Sequence, residues 1–93
     1  MLVGTCEIEL LFPGSRSLKE KRFVMKSIKD RIRARFNVSV AEVDGHGLRQ
    51  RGALGVAVAA SESGYIHKVI SQVVKFVEGD GRVEVLDYRV EVL

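Results

Sequence analysis

Every segment of this chain that alternates like a strand carries its larger apolar side chains mainly on one side. Residues 2–12 set the pattern. Leu2, Cys6, Ile8, Leu10 and Phe12 fall on one face with Gly4 among them, while Val3, Thr5, Glu7, Glu9 and Leu11 fall on the other. Period-two alternation makes this a half-buried strand, and Pro13-Gly14 ends it. Residues 37–44, NVSVAEVD, are β-branched and alternating and read as a second strand, followed by a turn over 45–50. A third strand over 51–60 sets Leu54, Val56 and Val58 against Ala53, Gly55, Ala57 and Ala59. A fourth over 82–92 sets Leu86, Tyr88, Val90 and Val92 against Asp87, Arg89 and Glu91. A sheet covered on both faces would show continuous apolar runs. One-sided strands require the helices to gather on one face.

Two segments have helical spacing. Ser17 followed by Glu20 is a capping box, and the helix it opens runs to about Phe36. At 100° per residue, Leu18, Val24, Met25, Ile28, Ile32 and Phe36 share an arc of about 120° that packs on the sheet. The second helix, 62–78, repeats Ile66, Val69, Ile70, Val73, Phe76 and Val77, with His67 at the border of the arc as a packing residue. Gly79-Asp80-Gly81 stops it. The order βαββαβ predicts an α+β, ferredoxin-like fold: a four-stranded antiparallel sheet with both helices on one face. The handedness of crossovers leaves few alternatives. The 93 residues make a single domain, 1–93, with a modest core that dimerisation would help to stabilise.

No apolar run approaches the roughly 20 residues of a membrane helix. The opening MLVGTCEIELLF lacks the basic region and cleavage site of a signal peptide. The single Cys6 excludes an internal disulfide and fits a reducing cytoplasm. The expectation is a cytoplasmic protein. One Asn, two Gln and nine Arg point weakly to a thermophilic source.

Charge is unevenly spread. Residues 15–36 hold nine basic and two acidic side chains, and the rest of the chain six basic and ten acidic. Lys19, Arg22, Lys26, Lys29 and Arg33 follow the spacing 3, 4, 3, 4 beside the apolar arc, with Asp30 just past their edge. Like charges one turn apart cost a few tenths of a kcal/mol each, roughly, so folding alone does not call for such a row. Contacts to the phosphates of a structured RNA are one reading. A solvated face whose acidic partners come from elsewhere, including a second subunit, is another, and a different anionic ligand is the third. Phe23 lies beyond this row, away from the core, where it can stack on a base or fill a partner's pocket. Arg49 and Arg51, in the loop 44–51, are secondary candidates for phosphate contacts.

Catalytic and metal chemistry find little footing. Glu7 and Glu9 are neighbours on an open strand face, where such a pair more often keeps a sheet soluble than serves as acid and base. Cys6 alternates with core residues and reads as a buried, inert thiol. Asp44 and His46 straddle a turn without a third ligand at metal-binding spacing. No cofactor motif is present, and a non-enzymatic role is expected. The open sheet face holds Thr5, Glu7, Ala53, Gly55 and Ala57 where RNA-recognition sheets carry stacking aromatics. It suits another protein surface better than RNA, so a homodimer through this face or an edge strand is the alternative expectation.

The capped segment Ser17-Leu-Lys-Glu-Lys-Arg22, Asn37-Val-Ser-Val-Ala-Glu-Val-Asp44, Gln50-Arg51 and Leu54-Gly-Val-Ala-Val58 resemble, in order, the characteristic segments of the YlxP-like family of small bacterial proteins. The resemblance extends over essentially the whole chain and implies a ferredoxin-like fold. It also implies a link to ribosomes or RNA, since members are often encoded among genes for translation initiation and ribosome maturation. It implies no catalytic residues. Gly45-His-Gly-Leu-Arg49 departs from relatives, which often carry bulkier polar residues and an aromatic there.

Overall fold

The computed structural model describes residues 1–93. Its elements are β1 (Leu2–Leu11), α1 (Leu18–Arg35), β2 (Ser39–Asp44), β3 (Arg51–Ala60), α2 (Ser63–Glu78) and β4 (Glu84–Val92). The four strands form one antiparallel sheet in the order β2-β3-β1-β4, a ferredoxin-like arrangement. β1 lies inside the sheet and pairs along its length with β3, from Leu2 against Ala60 to Leu11 against Arg51. The even-numbered face of β1 carries Cys6, Ile8 and Leu10 into one apolar cluster with Met25, Ile28 and Ile32 of α1 and Ile66, Ile70 and Val73 of α2.

Gly4 sets how closely α2 approaches β1. A Cβ at that position would collide with the Cγ2 methyl of Ile66 and crowd Ile70 Cδ1 at 3.3 Å. Where the sequence alternation demands an apolar residue, the helix supplies it instead. The α1–α2 contact is closed by Phe36 edge-on to Phe76, with ring centres 5.8 Å apart. Arg31 and Arg35 also lie over Phe76, at 5.4 and 5.2 Å from its centre. Two of the cations of α1 thus cover the seam between the helices.

The structure differs from the alternation pattern at both sheet edges. β2 pairs Glu42 with Leu54 and then Asp44 with Ala53, so Val43 is an extra residue. β4 pairs Asp87 with Glu9 and then Val85 with Leu10, so the register slips around Leu86. Such bulges re-aim side chains at sheet edges. Leu86, expected on the core side with Tyr88, instead lines a hollow on the open face with Glu9 and Arg89. Tyr88 stays opposite Ile8 but is exposed at the edge. β2 starts at Ser39 and β4 at Glu84, each two residues after the expected position. His67 is exposed, not packed: Ile66 and Ile70 fill the interface, leaving His67 on the solvent side of α2.

Gly4→Ala is expected to lower unfolding stability by about 1–3 kcal/mol through overpacking against Ile66. Urea unfolding should show a lower midpoint with an unchanged slope, and adding Ile66→Leu, which removes the Cγ2 methyl, should recover part of the loss.

Candidate anion-binding face

α1 begins as the sequence specifies. Ser17 Oγ accepts from the Glu20 amide at 3.1 Å. The reciprocal bond goes to the Arg16 amide, which donates to Glu20 Oε2 at 2.6 Å, one residue earlier than in the ideal capping box.

Lys21 is the residue that the charge pattern conceals. Its side chain is 1% exposed. Leu18, Lys21, Met25, Ile28 and Ile32 follow the spacing 3, 4, 3, 4, which places Lys21 at the middle of the apolar arc. The signal was available in the sequence, but it is easily counted with the neighbouring cations. Lys21 Nζ donates to Glu42 Oε2 at 2.8 Å and to the Gly45 carbonyl at 2.7 Å, and lies 5.9 Å from the centre of the Phe12 ring. Glu42 is inward because it pairs with Leu54, on the core side of β3. Gly45 has φ of 77°, a left-handed conformation that glycine adopts without strain. Gly52 leaves room for the Lys21 stem, since a Cβ there would lie 3.2 Å from Nζ.

Of the five cations in the row, two are engaged within the protein. Lys26 pairs with Asp30 at 2.7 Å, and Arg33 reaches Asp30 at 3.4 Å while donating to the Val40 carbonyl at 2.9 Å. Arg33 thereby ties α1 to the edge strand β2. The three nearby cations hold the Asp30 carboxyl below the usual carboxylate range, with the Lys26 hydrogen bond as the main cause. Lys19, Arg22 and Lys29 make no ion pair and no side-chain hydrogen bond.

The loop candidates separate. Arg49 donates to the Arg16 carbonyl at 3.4 Å and Gln50 to the Ser15 carbonyl at 3.2 Å, so the loop docks beside the start of α1. Arg51 is paired with Leu11 on the opposite face of the sheet, and it lines a hollow with Glu7 and Glu9. It does not join the row on α1.

Phe23 is 71% exposed. It lines a groove of about 560 Å³ with Pro13, Gly14, Lys19, Glu20 and Arg82. Arg82, which sequence reasoning missed, is fixed there by hydrogen bonds to Asp80 Oδ1 at 3.0 Å, Asp80 Oδ2 at 2.8 Å and Ser27 Oγ at 3.1 Å. The Arg82 hydrogen bond holds the Asp80 carboxyl below its ordinary range.

The sheet's open face has the opposite sign. By register it presents six acids, Glu7, Glu9, Asp44, Glu84, Asp87 and Glu91, against Arg51 and Arg89. Arg89 donates to Glu7 Oε2 at 2.6 Å, and Glu9 stands opposite Asp87. Between the edges lies a shallow hollow floored by Gly55 and Ala57 and walled by Val43, Glu7 and Arg89. A Cβ at Gly55 would sit 2.6 Å from Val43 Cγ1, so any larger residue there would have to push the exposed Val43 side chain aside. No three His, Cys, Asp or Glu side chains come together as a metal site. Cys6 is buried, and burial pushes its thiol up to about 11, away from thiolate chemistry near neutrality.

A family model described as "Protein of unknown function (DUF503)" matches residues 3–90, from β1 into β4. The chain belongs to this family. It is also similar to the protein called "Uncharacterized protein YlxP" from Bacillus subtilis (strain 168), with 32% identity over 83 residues, or 89% of this chain and 90% of that one. The DUF503 match includes all of α1 and the loop 44–51. No helix is long and apolar enough to cross a membrane.

Two measurements follow from this geometry. Lys21→Met and Glu42→Leu should each destabilise the fold by about 3 kcal/mol, because each strands a buried polar partner. The Lys21→Met/Glu42→Leu double variant should lose much less than the two single changes together, and a thermodynamic cycle from urea unfolding reads the coupling. Cys6 should resist an aromatic disulfide reagent at pH 8 in the native protein and react fully in denaturant.

Proposed function

We propose that this protein is a non-enzymatic RNA-associating protein, acting on structured RNA or a ribosomal particle, that binds phosphates through the exposed side of α1. The observation that carries this reading is the freedom of Lys19, Arg22 and Lys29 on a helix face from which the sheet's acids are segregated. Cations with no internal partner retain their full attraction for an external anion, and a row of them matches a repeating phosphate charge. Lys26 and Arg33 are auxiliary contacts: Asp30 competes for both, and Arg33 also holds β2. Arg49 lies near enough to the start of α1 to extend the row, whereas Arg51 belongs to the other face. The acidic sheet face repels a polyanion, which favours one orientation of the domain on RNA.

Homodimerisation through the sheet side is the second reading. It is favoured by the exposed Val43, Leu48 and Leu86 around the small-residue floor. Face-to-face packing would oppose acidic surfaces, so such a dimer should tighten with salt. RNA binding should weaken with salt.

The triple variant Lys19→Glu/Arg22→Glu/Lys29→Glu is expected to lose RNA binding by at least about 100-fold at low salt. Single changes to Ala should each reduce the slope of log affinity against log salt by roughly 0.7–0.9. Electrophoretic mobility shift with total ribosomal RNA provides the measurement. Undiminished binding by the triple variant would falsify the assignment of this face. Sedimentation of the native protein at low and high salt tests the dimer, and a monomer throughout removes the second reading.

A further inference from the structure

We propose that Phe23 is a stacking platform for an unpaired nucleobase, so that the RNA bound by α1 must offer a single-stranded or unpaired nucleotide. This rests on the phosphate-binding reading of α1 and names the kind of RNA it takes.

Phe23 has no structural reason to be aromatic. It belongs neither to the core cluster nor to the partly buried residues packed against it, and the Phe36–Phe76 contact that joins the helices does not involve it. An exposed apolar side chain alone is ordinary. Its surroundings set this one apart. Lys19 lies four residues before it and Lys26 three residues after it, so both are on its side of the helix, about one turn away. Lys19 is unpaired, and Lys26 is 75% exposed in a surface pair with Asp30 that a phosphate can displace. Beside the ring opens the groove formed by Pro13, Gly14 and Arg82, with the Arg82 guanidinium clamped in place. Glu20 is the one acid in the groove, and its carboxylate is already engaged by the Arg16 amide.

A partner for this surface needs a flat apolar face carried between negative charges. A nucleotide with its base turned out meets both needs: the π face stacks on Phe23 while neighbouring phosphates reach Lys19 and Lys26. A paired duplex meets only the second, because its bases are already stacked and its phosphates alone face outward. A protein side chain meets only the first, unless its pocket is ringed by acids. RNA-recognition sheets with this strand order place aromatics on the open face. Here that face is acidic, and the exposed aromatic with cations around it is on the helix side.

The chain contains no tryptophan, so Phe23→Trp creates a single reporter at the proposed contact. The probes are a mixed-sequence single-stranded RNA of about 12 nucleotides and the blunt duplex of the same sequence, at low salt. The single strand should quench the Trp emission and the duplex should leave it unchanged. Phe23→Ala should weaken single-strand binding about tenfold, within the range stacking contributes, and leave duplex binding unaltered. Lys19→Glu should weaken both. Circular dichroism of the Phe23 variants should match the native protein, since the site is outside the core. Absence of quenching, together with equal single-strand binding by Phe23→Ala, overturns stacking while leaving phosphate binding intact. An equal loss of both RNAs in Phe23→Ala also overturns it. If the native protein binds neither oligonucleotide but does bind total ribosomal RNA, stacking on an unpaired base is overturned alone; if it binds none of the three, the phosphate-binding reading fails and stacking fails with it.

Discussion

One ammonium group, Lys21 Nζ, joins three parts of this fold that the sheet alone would not hold together. It fastens α1 to β2 through Glu42, to the turn after β2 through the Gly45 carbonyl, and to the end of β1 through the Phe12 ring. An ammonium removed from water is expensive unless its hydrogen-bonding capacity is met. The neighbouring glycines show how the chain meets that demand: Gly45 supplies a carbonyl in a left-handed turn, and Gly52 supplies the space. With that turn fixed, the loop 46–50 docks against the residues preceding α1, through Arg49 and Gln50. The start of α1 is therefore tied to the loop beside it, while the charged residues on its outer side face water.

The segregation of charge follows from the same layering. Helices cover one face of the sheet, leaving α1 to display its outer cations and the bare face to display the alternate residues of β1 and β4. Internal pairing is local on each side. Asp30 serves α1, Asp80 serves Arg31 and Arg82 at the far end of α2, and Glu7 serves Arg89 across the sheet. Except for the buried Lys21–Glu42 pair, the ion pairs leave the two surfaces electrically distinct. A domain of this size with opposite faces of opposite sign orients itself in the field of a large anion before contact.

The fold was legible because it rests on periodicity, which one sequence displays directly, and the family through the resemblance of segments such as Ser17–Arg22 and Asn37–Asp44. The one-sided strands, the Ser17 cap and the order of elements carry through to the structure with shifts of two residues at β2 and β4. What was hidden depended on contacts across the sequence. The bulges at Val43 and Leu86 arise from mismatched registers between strands, so strict alternation misplaces Leu86. His67 was misjudged because an arc border does not say which neighbour fills the interface. Lys21 was visible by angle but masked by its type, since lysine at the centre of an apolar stripe is rare enough to be read with its neighbours. The row on α1 was legible as a row. Its division into free and engaged cations was not, because Asp30 and the Val40 carbonyl meet Lys26 and Arg33 only in three dimensions.

The placement of β1 has a consequence for how the chain is made. β1 precedes the other strands in the chain but sits in the sheet interior, and the β4 residue Arg89 that pairs with Glu7 lies 82 positions later. Until β4 is synthesised, β1 has an unpaired edge rich in alternating apolar residues, the kind of edge that invites pairing with other chains. Long-range strand pairing is also slow to form. Charges within such a strand are the kind of residue that discourages that pairing, and the same Glu7 and Glu9 belong to the acidic surface of the finished domain.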